Sequence, residues 1–244
     1  MKEIILSNLN IIEQRIANAC REYNRDPSEV KLLLATKTVS ADNIKIAIEA
    51  GYPLIGENKV QEIKQKYEIL NTVPHRKHFI GHLQTNKIKD ILKHDVTCIE
   101  SLDRLDLAEK LHQHLDRRQM KIDVFIQINT SNEESKFGIK PEEAEPFIRA
   151  VAKFPTIQIK GLMTIGLFSA ETEKVRPCFQ MLKTIQKHIT TLNIPNVELK
   201  ELSMGMSNDL EVAIEEGATI LRIGTAIFGQ RIYPDSYYWN ENNN

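Results

Sequence analysis

The sequence predicts a single (β/α)8 TIM barrel preceded by an N-terminal helix. Eight short apolar runs alternate with segments whose apolar residues recur every three or four positions, the pattern of strands followed by amphipathic helices. Several of the runs are continuously apolar, as expected for parallel strands buried on both faces. The chain has 244 residues, close to the roughly 250 typical of such a barrel. A doubly wound open sheet is the alternative, and it would need fewer or differently ordered strands.

The elements follow one another in a regular order. The apolar spacing from Ile4 onward predicts a first helix that ends near Asn24. The predicted strands are Leu32–Thr36, Pro53–Gly56, His78–Gly81, Val96–Ile99, Val124–Ile128, Ile157–Ile165, Leu199–Leu202 and Thr219–Ile223. The first seven precede helices at Ser40–Gly51, Val60–Leu70, Thr85–Leu92, Leu102–Leu115, Glu142–Ala152, Val175–Ile189 and Leu210–Glu216. We therefore expect one domain over residues 1–244, with a flexible polar tail at Trp239–Asn244.

Composition and charge limit the classes of partner. With 41% hydrophobic and 27% charged residues, the chain can bury a substantial core, which argues against disorder. Its formal net charge is −1, so no overall field attracts it to nucleic acid or to anionic lipid, and we expect neither as a partner. Charged residues interrupt the N-terminal apolar segment, and no later apolar run approaches the ~20 residues of a membrane span. We expect a cytoplasmic protein.

Polar residues cluster where the predicted strands end. Chemistry in a barrel collects at the carboxyl ends of its strands, so these residues outline one pocket. In strand order they are Lys37; Glu57 and Asn58; Gly81, His82 and Gln84; Glu100 and Ser101; Asn129, Thr130 and Ser131; Met163 and Thr164; Ser203–Ser207; and Leu221–Thr225.

Lys37 closes the first apolar run, so its ammonium group is expected in the mouth of the barrel. Desolvation there disfavours the charged form, and the neutral amine is a nucleophile toward carbonyl groups, as in Schiff-base formation. The alternative is a lysine that merely reaches water from a strand end.

The last two strand ends predict an anion site. Ser207 and Thr225 supply hydroxyl groups, and Gly224 allows backbone N–H groups to approach an anion closely. Serine and glycine also cap helices for structural reasons alone. Together with Lys37, however, these residues suggest a ligand that carries both an aldehyde and a phosphate.

Several motifs carry a resemblance to a known family. They are Leu33-Leu34-Ala35-Thr36-Lys37, Gly56-Glu57-Asn58, His78 to Gln84, Gly161-Leu162-Met163, Ser203 to Ser207 and Arg222 to Gly229. With these motifs the chain resembles the pyridoxal phosphate homeostasis proteins, over nearly its whole length. That family is similar to the barrel domain of alanine racemase, which implies an alanine-racemase-like barrel that binds pyridoxal 5′-phosphate (PLP), the cofactor form of vitamin B6.

The resemblance also implies residue roles. Lys37 would hold PLP as an internal aldimine (a Schiff base), and Arg222 would face the pyridine nitrogen. Ser207, Gly224 and Thr225 would hold the phosphate. Asn58 and Met204 would line the cofactor pocket. Lys59 departs from the family pattern, because the family often has an aromatic residue after Gly-Glu-Asn. We expect this difference to alter the rim of the pocket and not the binding of the cofactor.

Other polar residues predict no further site. His75, His78 and His82 lie on a loop and a strand, so their rings are not expected to converge on a metal. The three cysteines are widely spaced without a CxxC pair, so we expect reduced, mostly buried thiols and no metal site. Lys136 follows the fifth strand and is interpreted as a surface lysine outside the core site.

Two classes of function follow. Arg222 would keep the pyridine nitrogen unprotonated and weaken the electron sink that PLP catalysis uses. In alanine racemases a second domain supplies the opposite acid/base group, and we expect no such domain here. We therefore expect a monomeric, non-catalytic carrier that acts in intracellular PLP homeostasis and passes PLP to apo PLP-dependent enzymes. A PLP-dependent amino-acid racemase is the alternative, and a Schiff-base aldolase for phosphosugars is a weaker one.

Overall fold

Eight parallel strands close into a barrel in a computed structural model that describes residues 1–167, 169 and 171–229. The strands are β1 (Lys31–Ala35), β2 (Leu54–Glu57), β3 (Arg76–Phe79), β4 (Val96–Leu102), β5 (Ile122–Gln127), β6 (Ile157–Met163), β7 (Val197–Ser203) and β8 (Ile220–Ile223). Each strand pairs with its sequence neighbours, and β1 pairs with β8 to close the ring. The predicted barrel is confirmed.

Helices surround the barrel. They are α1 (Lys2–Glu22), α2 (Ala41–Glu49), α3 (Val60–Leu70), α4 (Ile88–Lys93), α5 (Leu105–Asp116), α6 (Ala144–Val151), α7 (Arg176–Thr191), α8 (Leu210–Glu215) and α9 (Thr225–Phe228). Ser40 caps α2 as predicted, because its side chain accepts a hydrogen bond from the backbone N–H of Asn43. Helix α1 precedes the barrel and packs against α2, α8 and α9.

The core has two parts. A small apolar cluster fills part of the barrel interior, and its buried members are Leu33, Cys98, Phe125, Met163 and Ile220. A much larger cluster lies between the outer faces of the strands and the helices. The three cysteines are free and buried, as predicted. No helix among the described residues is long and apolar enough to cross a membrane.

Most element boundaries shift by a few residues from the sequence predictions, and three differences bear on the site. β1 ends at Ala35, so Lys37 lies in a turn beyond the strand rather than at its last position. β4 continues to Leu102, so Glu100 and Ser101 belong to the strand and are buried within it. The four-residue helix α9 follows β8, where no helix was predicted. The predicted flexible tail at Trp239–Asn244 lies outside the described residues.

Candidate functional site

Lys37 occupies a turn at the carboxyl end of β1, between Thr36 and Thr38, and its side chain is half-buried. The neighbouring strand β8 approaches this end of β1 closely. A Cβ atom built on Gly224 would lie 2.7 Å from the backbone oxygen of Ala35. Glycine therefore allows the backbones to approach, and the Lys37 turn comes to lie at the same end of the barrel as the residues that follow β8.

Ser207 and Thr225 come together beyond the ends of β7 and β8. Their hydroxyl oxygens are 3.3 Å apart, and the backbone N–H of Ala226 donates to Ser207 Oγ over 3.4 Å. Ser207 is half-buried and Thr225 is exposed. The structure thus places two hydroxyl groups and the start of α9 side by side, which is the arrangement predicted for an oxyanion cradle.

The loop that carries Ser207 is shaped by its own residues. Gly205 adopts φ +91°, a left-handed conformation that favours glycine. The buried carboxylate of Asp209 accepts a hydrogen bond from the backbone N–H of Met206 over 2.5 Å. The backbone N–H of Arg222 donates to the carbonyl of Gly205 over 3.0 Å, which fastens the loop to β8.

Helix α1 supports the cradle from outside the barrel. Arg15 Nη1 donates to the carbonyl oxygen of Ser207 over 3.1 Å, and the same guanidinium makes a two-pronged ion pair with Glu211 on α8, at 2.7 and 2.9 Å. Asn8 donates to the carbonyl of Ile227 in α9 over 2.9 Å. Sequence reasoning missed this support, because both polar residues read as the solvent face of an amphipathic helix.

Arg222 lies inside the barrel and is 6% exposed. Its Nη1 donates to Ser203 Oγ and its Nη2 donates to the carbonyl of Thr164, both over 2.8 Å. Burial lowers the pKa of Arg222 from its usual value, while the nearby carboxylates of Glu100 and Asp209 raise it. The guanidinium is thus oriented by fixed acceptors on two neighbouring strand ends, β6 and β7.

A buried carboxylate balances this guanidinium through Ser203. Glu100 is fully buried, and its Oε2 accepts a hydrogen bond from Ser203 Oγ over 2.5 Å. Its Oε1 lies 2.6 Å from Nδ1 of His78, which is also buried. The sequence pointed to Glu100 as a mouth residue, but its link to Arg222 appears only in the structure. Sequence reasoning likewise treated His78 as an ordinary histidine.

Asn58 follows β2 at the same end of the barrel. A Cβ atom on Gly81 would lie 2.1 Å from the backbone oxygen of Asn58. The two loops can therefore pack this closely only because residue 81 has no side chain. The side-chain oxygen of Asn58 is buried and accepts no hydrogen bond from the described residues. A buried polar atom of this kind calls for a partner, which a polar ligand in the mouth would supply.

Two other residues are placed away from the cradle. Ser203 points into the barrel, and the next residue, Met204, is fully buried in the large apolar cluster that the strands share with the helices. This position favours a packing role for the Met204 side chain over a pocket-lining one. Lys136 donates to the carbonyl of Gly166 over 2.6 Å and pairs with Glu133.

Over residues 1–167, 169 and 171–229, no group of three or more His, Cys, Asp or Glu side chains is arranged to hold a metal ion.

The geometry brings an amine, two hydroxyl groups and a buried guanidinium to one end of the barrel. Lys37 follows β1, Arg222 lies on β8, and Ser207 and Thr225 follow β7 and β8. An amine forms imines with carbonyl groups, and hydroxyl and backbone N–H groups bind oxyanions. The arrangement suits a small ligand that carries an aldehyde, an oxyanion and an aromatic acceptor.

Comparisons with known proteins agree with this geometry. Residues 8–232 match the family model of the alanine racemase N-terminal domain. A pyridoxal phosphate homeostasis protein of Aquifex aeolicus is 42% identical over 92% of this chain and 97% of its own length. The crystal structure of an unknown protein from Bifidobacterium adolescentis is 37% identical with a TM-score of 0.89, covering 93% of this chain and 95% of that one. PipY of Synechococcus elongatus, solved with PLP bound, is 30% identical with a TM-score of 0.76, covering 88% of this chain and all of that one.

Proposed function

Because this chain belongs to the pyridoxal phosphate homeostasis protein family, we propose that it binds PLP covalently through Lys37 and acts as a carrier of PLP in the cytoplasm. The observation that carries the proposal is the convergence of the Lys37 turn, the Ser207–Thr225 hydroxyl pair and the buried Arg222 guanidinium on adjoining strand ends. The PLP-bound structure of its relative PipY supports the choice of ligand.

The residues present fit the functional groups of PLP. The Lys37 amine would bond to the aldehyde carbon of PLP, with loss of one water molecule. Ser207 and Thr225 would donate hydrogen bonds to the phosphate, and Gly224 would leave space beside them. Arg222 would donate to the pyridine nitrogen, and the buried side-chain oxygen of Asn58 would pair with a polar group of the ligand.

Arg222 also argues for a carrier rather than a catalyst. PLP, when bound, supplies an electron sink, which is deepest when the pyridine nitrogen is protonated. A guanidinium donates to that nitrogen without giving up its own proton, and the link through Ser203 to the Glu100 carboxylate stabilises the charged form. We therefore propose that the chain, as a monomer, holds the reactive aldehyde without efficient turnover and transfers it to apo PLP-dependent enzymes.

Borohydride reduction tests the covalent link. Reduction of the protein with PLP, followed by peptide mass mapping, should place the pyridoxyl group on Lys37. Lys37→Ala should lose the label, whereas Lys136→Ala, which removes another lysine near the barrel mouth, should retain it. Labelling of Lys59, Lys87 or Lys136 in place of Lys37 would show that the site assignment is wrong.

A PLP-dependent amino-acid racemase is the second candidate, since the matching family model is that of the alanine racemase N-terminal domain. Incubation with L- or D-alanine in deuterated water reports abstraction of the Cα proton whatever the product. We expect exchange no faster than free PLP produces. Rapid exchange that disappears in Lys37→Ala would instead favour the racemase.

A further inference from the structure

Both neighbours of Lys37 are held by one buried cluster of charged residues behind the turn. Lys66 on α3 is the centre of this cluster, which also contains Glu57 at the end of β2 and Glu62 on α3. We propose that Lys66 is a positioning residue for the PLP site: through Glu57 and Glu62 it fixes the turn from Thr36 to Thr38 and thereby aims the Lys37 amine. This inference rests on the proposed function.

The contacts bracket Lys37 from both sides. Lys66 Nζ donates to the carbonyl oxygen of Thr36 over 2.9 Å, to Glu57 Oε1 over 2.7 Å and to Glu62 Oε2 over 2.6 Å. The Thr36 hydroxyl also donates to Glu57 Oε1, over 2.7 Å. On the other side of Lys37, the backbone N–H of Thr38 donates to Glu62 Oε2 over 2.7 Å. One ammonium group therefore joins the acceptors that hold both flanking residues.

Thr38 shows that the turn needs support. Its φ is +65°, a left-handed conformation that is unusual for a β-branched residue. Such strain persists where the surroundings fix the backbone, and it concentrates at functional sites. The carboxylate of Glu62 supplies that constraint, because it accepts the Thr38 N–H directly.

Burial of the cluster is hard to explain by stability alone. The side chains of Lys66, Glu62 and Glu57 are 10%, 16% and 1% exposed. Taking an ion pair out of water costs much of the attraction that it gains, and well-packed apolar residues are often as stabilising. The cluster does, however, supply directional hydrogen bonds at the two residues next to Lys37. An apolar replacement would fill the same volume without those bonds.

Lys77 provides a matched control. It is also a buried lysine, at 4% exposed, and its Nζ donates to the carbonyl of His94 over 2.7 Å. Its ammonium group contacts the carbonyl oxygen of His94 and the ring of Tyr67. Glu57 acts on Lys77 through its charge, but the described residues show no hydrogen bond from Lys77 to Glu57 or to the Lys37 turn. Lys77→Met thus reproduces the loss of a buried ammonium, and Lys66→Met adds the loss of support for the turn.

The test measures the turn and the site separately. Native-state hydrogen exchange of the Thr38 amide, without PLP, should accelerate at least tenfold in Lys66→Met and stay within twofold of the unaltered protein in Lys77→Met. The rate of covalent PLP attachment, followed by visible absorbance, should fall at least tenfold in Lys66→Met alone. An unchanged attachment rate in folded Lys66→Met, or an equal loss in Lys77→Met, would overturn the proposal.

Glu62 provides a second pair of variants should Lys66→Met fail to fold. Glu62→Ala removes the acceptor of the Thr38 N–H and leaves the Lys66–Glu57 pair in place, whereas Glu62→Gln keeps an acceptor oxygen. We expect slow attachment and fast Thr38 exchange in Glu62→Ala, with substantial recovery in Glu62→Gln. Equal attachment in both variants and in the unaltered protein would refute the positioning role. If Lys37→Ala still attaches PLP, the proposed function fails, while the Thr38 exchange result still decides whether the cluster holds the turn.

Discussion

Replacing Arg222 by Met should reveal how strongly the barrel interior depends on balanced charge. The change removes two hydrogen bonds of 2.8 Å and takes the nearby guanidinium charge away from the fully buried carboxylate of Glu100, which keeps its contacts with Ser203 and His78. Breaking a buried charged pair by deleting one member costs about 3–5 kcal/mol. We expect the free energy of unfolding to fall by that amount, a large part of the ~5–15 kcal/mol that holds a typical domain.

The double variant separates charge from packing. Glu100→Gln removes the buried charge, so Arg222→Met combined with Glu100→Gln should be more stable than the sum of the single changes predicts. A coupling energy of about 0.5–3 kcal/mol is expected for residues in one hydrogen-bond network. Urea unfolding of the protein without PLP, followed by circular dichroism, measures all four species of the cycle.

The control for this cycle is an exposed ion pair. Arg149 pairs with Glu145 at 2.8 Å, but its side chain is 48% exposed, so Arg149→Met should cost less than about 1 kcal/mol. Additive effects of Arg222→Met and Glu100→Gln, within about 0.5 kcal/mol, would refute the view that Ser203 couples the guanidinium to the carboxylate.

Three further predictions concern the cradle, the closure of the barrel and the cluster behind Lys37. If Ser207 and Thr225 hold the phosphate, Ser207→Ala and Thr225→Ala each remove a charge-assisted hydrogen bond of about 1.5–3 kcal/mol, and PLP retention in equilibrium dialysis should fall tenfold or more. Equal affinity for pyridoxal and PLP would contradict the role of these hydroxyl groups in phosphate binding. Gly224→Ala places a Cβ atom 2.7 Å from the Ala35 carbonyl and should lower the unfolding free energy by about 1–3 kcal/mol, measurable by urea unfolding. Burial raises the pKa of Glu57 from 4.5 to about 7. Between these pH values the folded state keeps a proton that the unfolded state has released. Protonation of Glu57 therefore stabilises the folded state at low pH, and this stabilisation is lost as pH rises from about 5 to above 7. The stability difference between Glu57→Gln and the unaltered protein should therefore change over that pH range, and a constant difference would exclude the shift.

The fold could be predicted because its strands leave a simple signal. Parallel strands buried on both faces read as continuous apolar runs, and all eight runs became strands of the barrel. Lys37, Ser207, Gly224 and Thr225 could be located because they follow such runs. The turn after β1 shows the limit of this reasoning. The sequence does not reveal that Thr38 adopts a left-handed conformation or which acceptor holds it.

Supporting residues were harder to predict because their partners are distant in sequence. Lys66 lies on the same side of α3 as Ile63 and Leu70, and a charged residue on an apolar helix face is the signal that could have identified it. Glu100 was placed beyond its strand because the apolar run stops at Ile99, whereas pairing with β5 carries β4 to Leu102. Met204 was predicted to line the pocket, but its side chain is part of the apolar core. Successive residues of a strand point to opposite sides, so Met204 points outward because Ser203 points inward.

The two buried clusters bear on how a carrier could work. A carrier that loads and releases PLP repeatedly must keep its site folded in both states. The Lys66 cluster and the Glu100–Ser203–Arg222 chain are bonded internally by side chains of the protein itself, so the hydrogen bonds that hold them do not require a ligand. Under the proposed function, binding would draw on the Ser207 and Thr225 hydroxyls, the Asn58 side chain and the Lys37 amine, while the buried charges stay fixed. Such preorganisation lowers the entropy cost of binding PLP, and it allows PLP to leave without unfolding of the site. A reversible carrier needs both properties, whereas a protein that folds around its cofactor has neither.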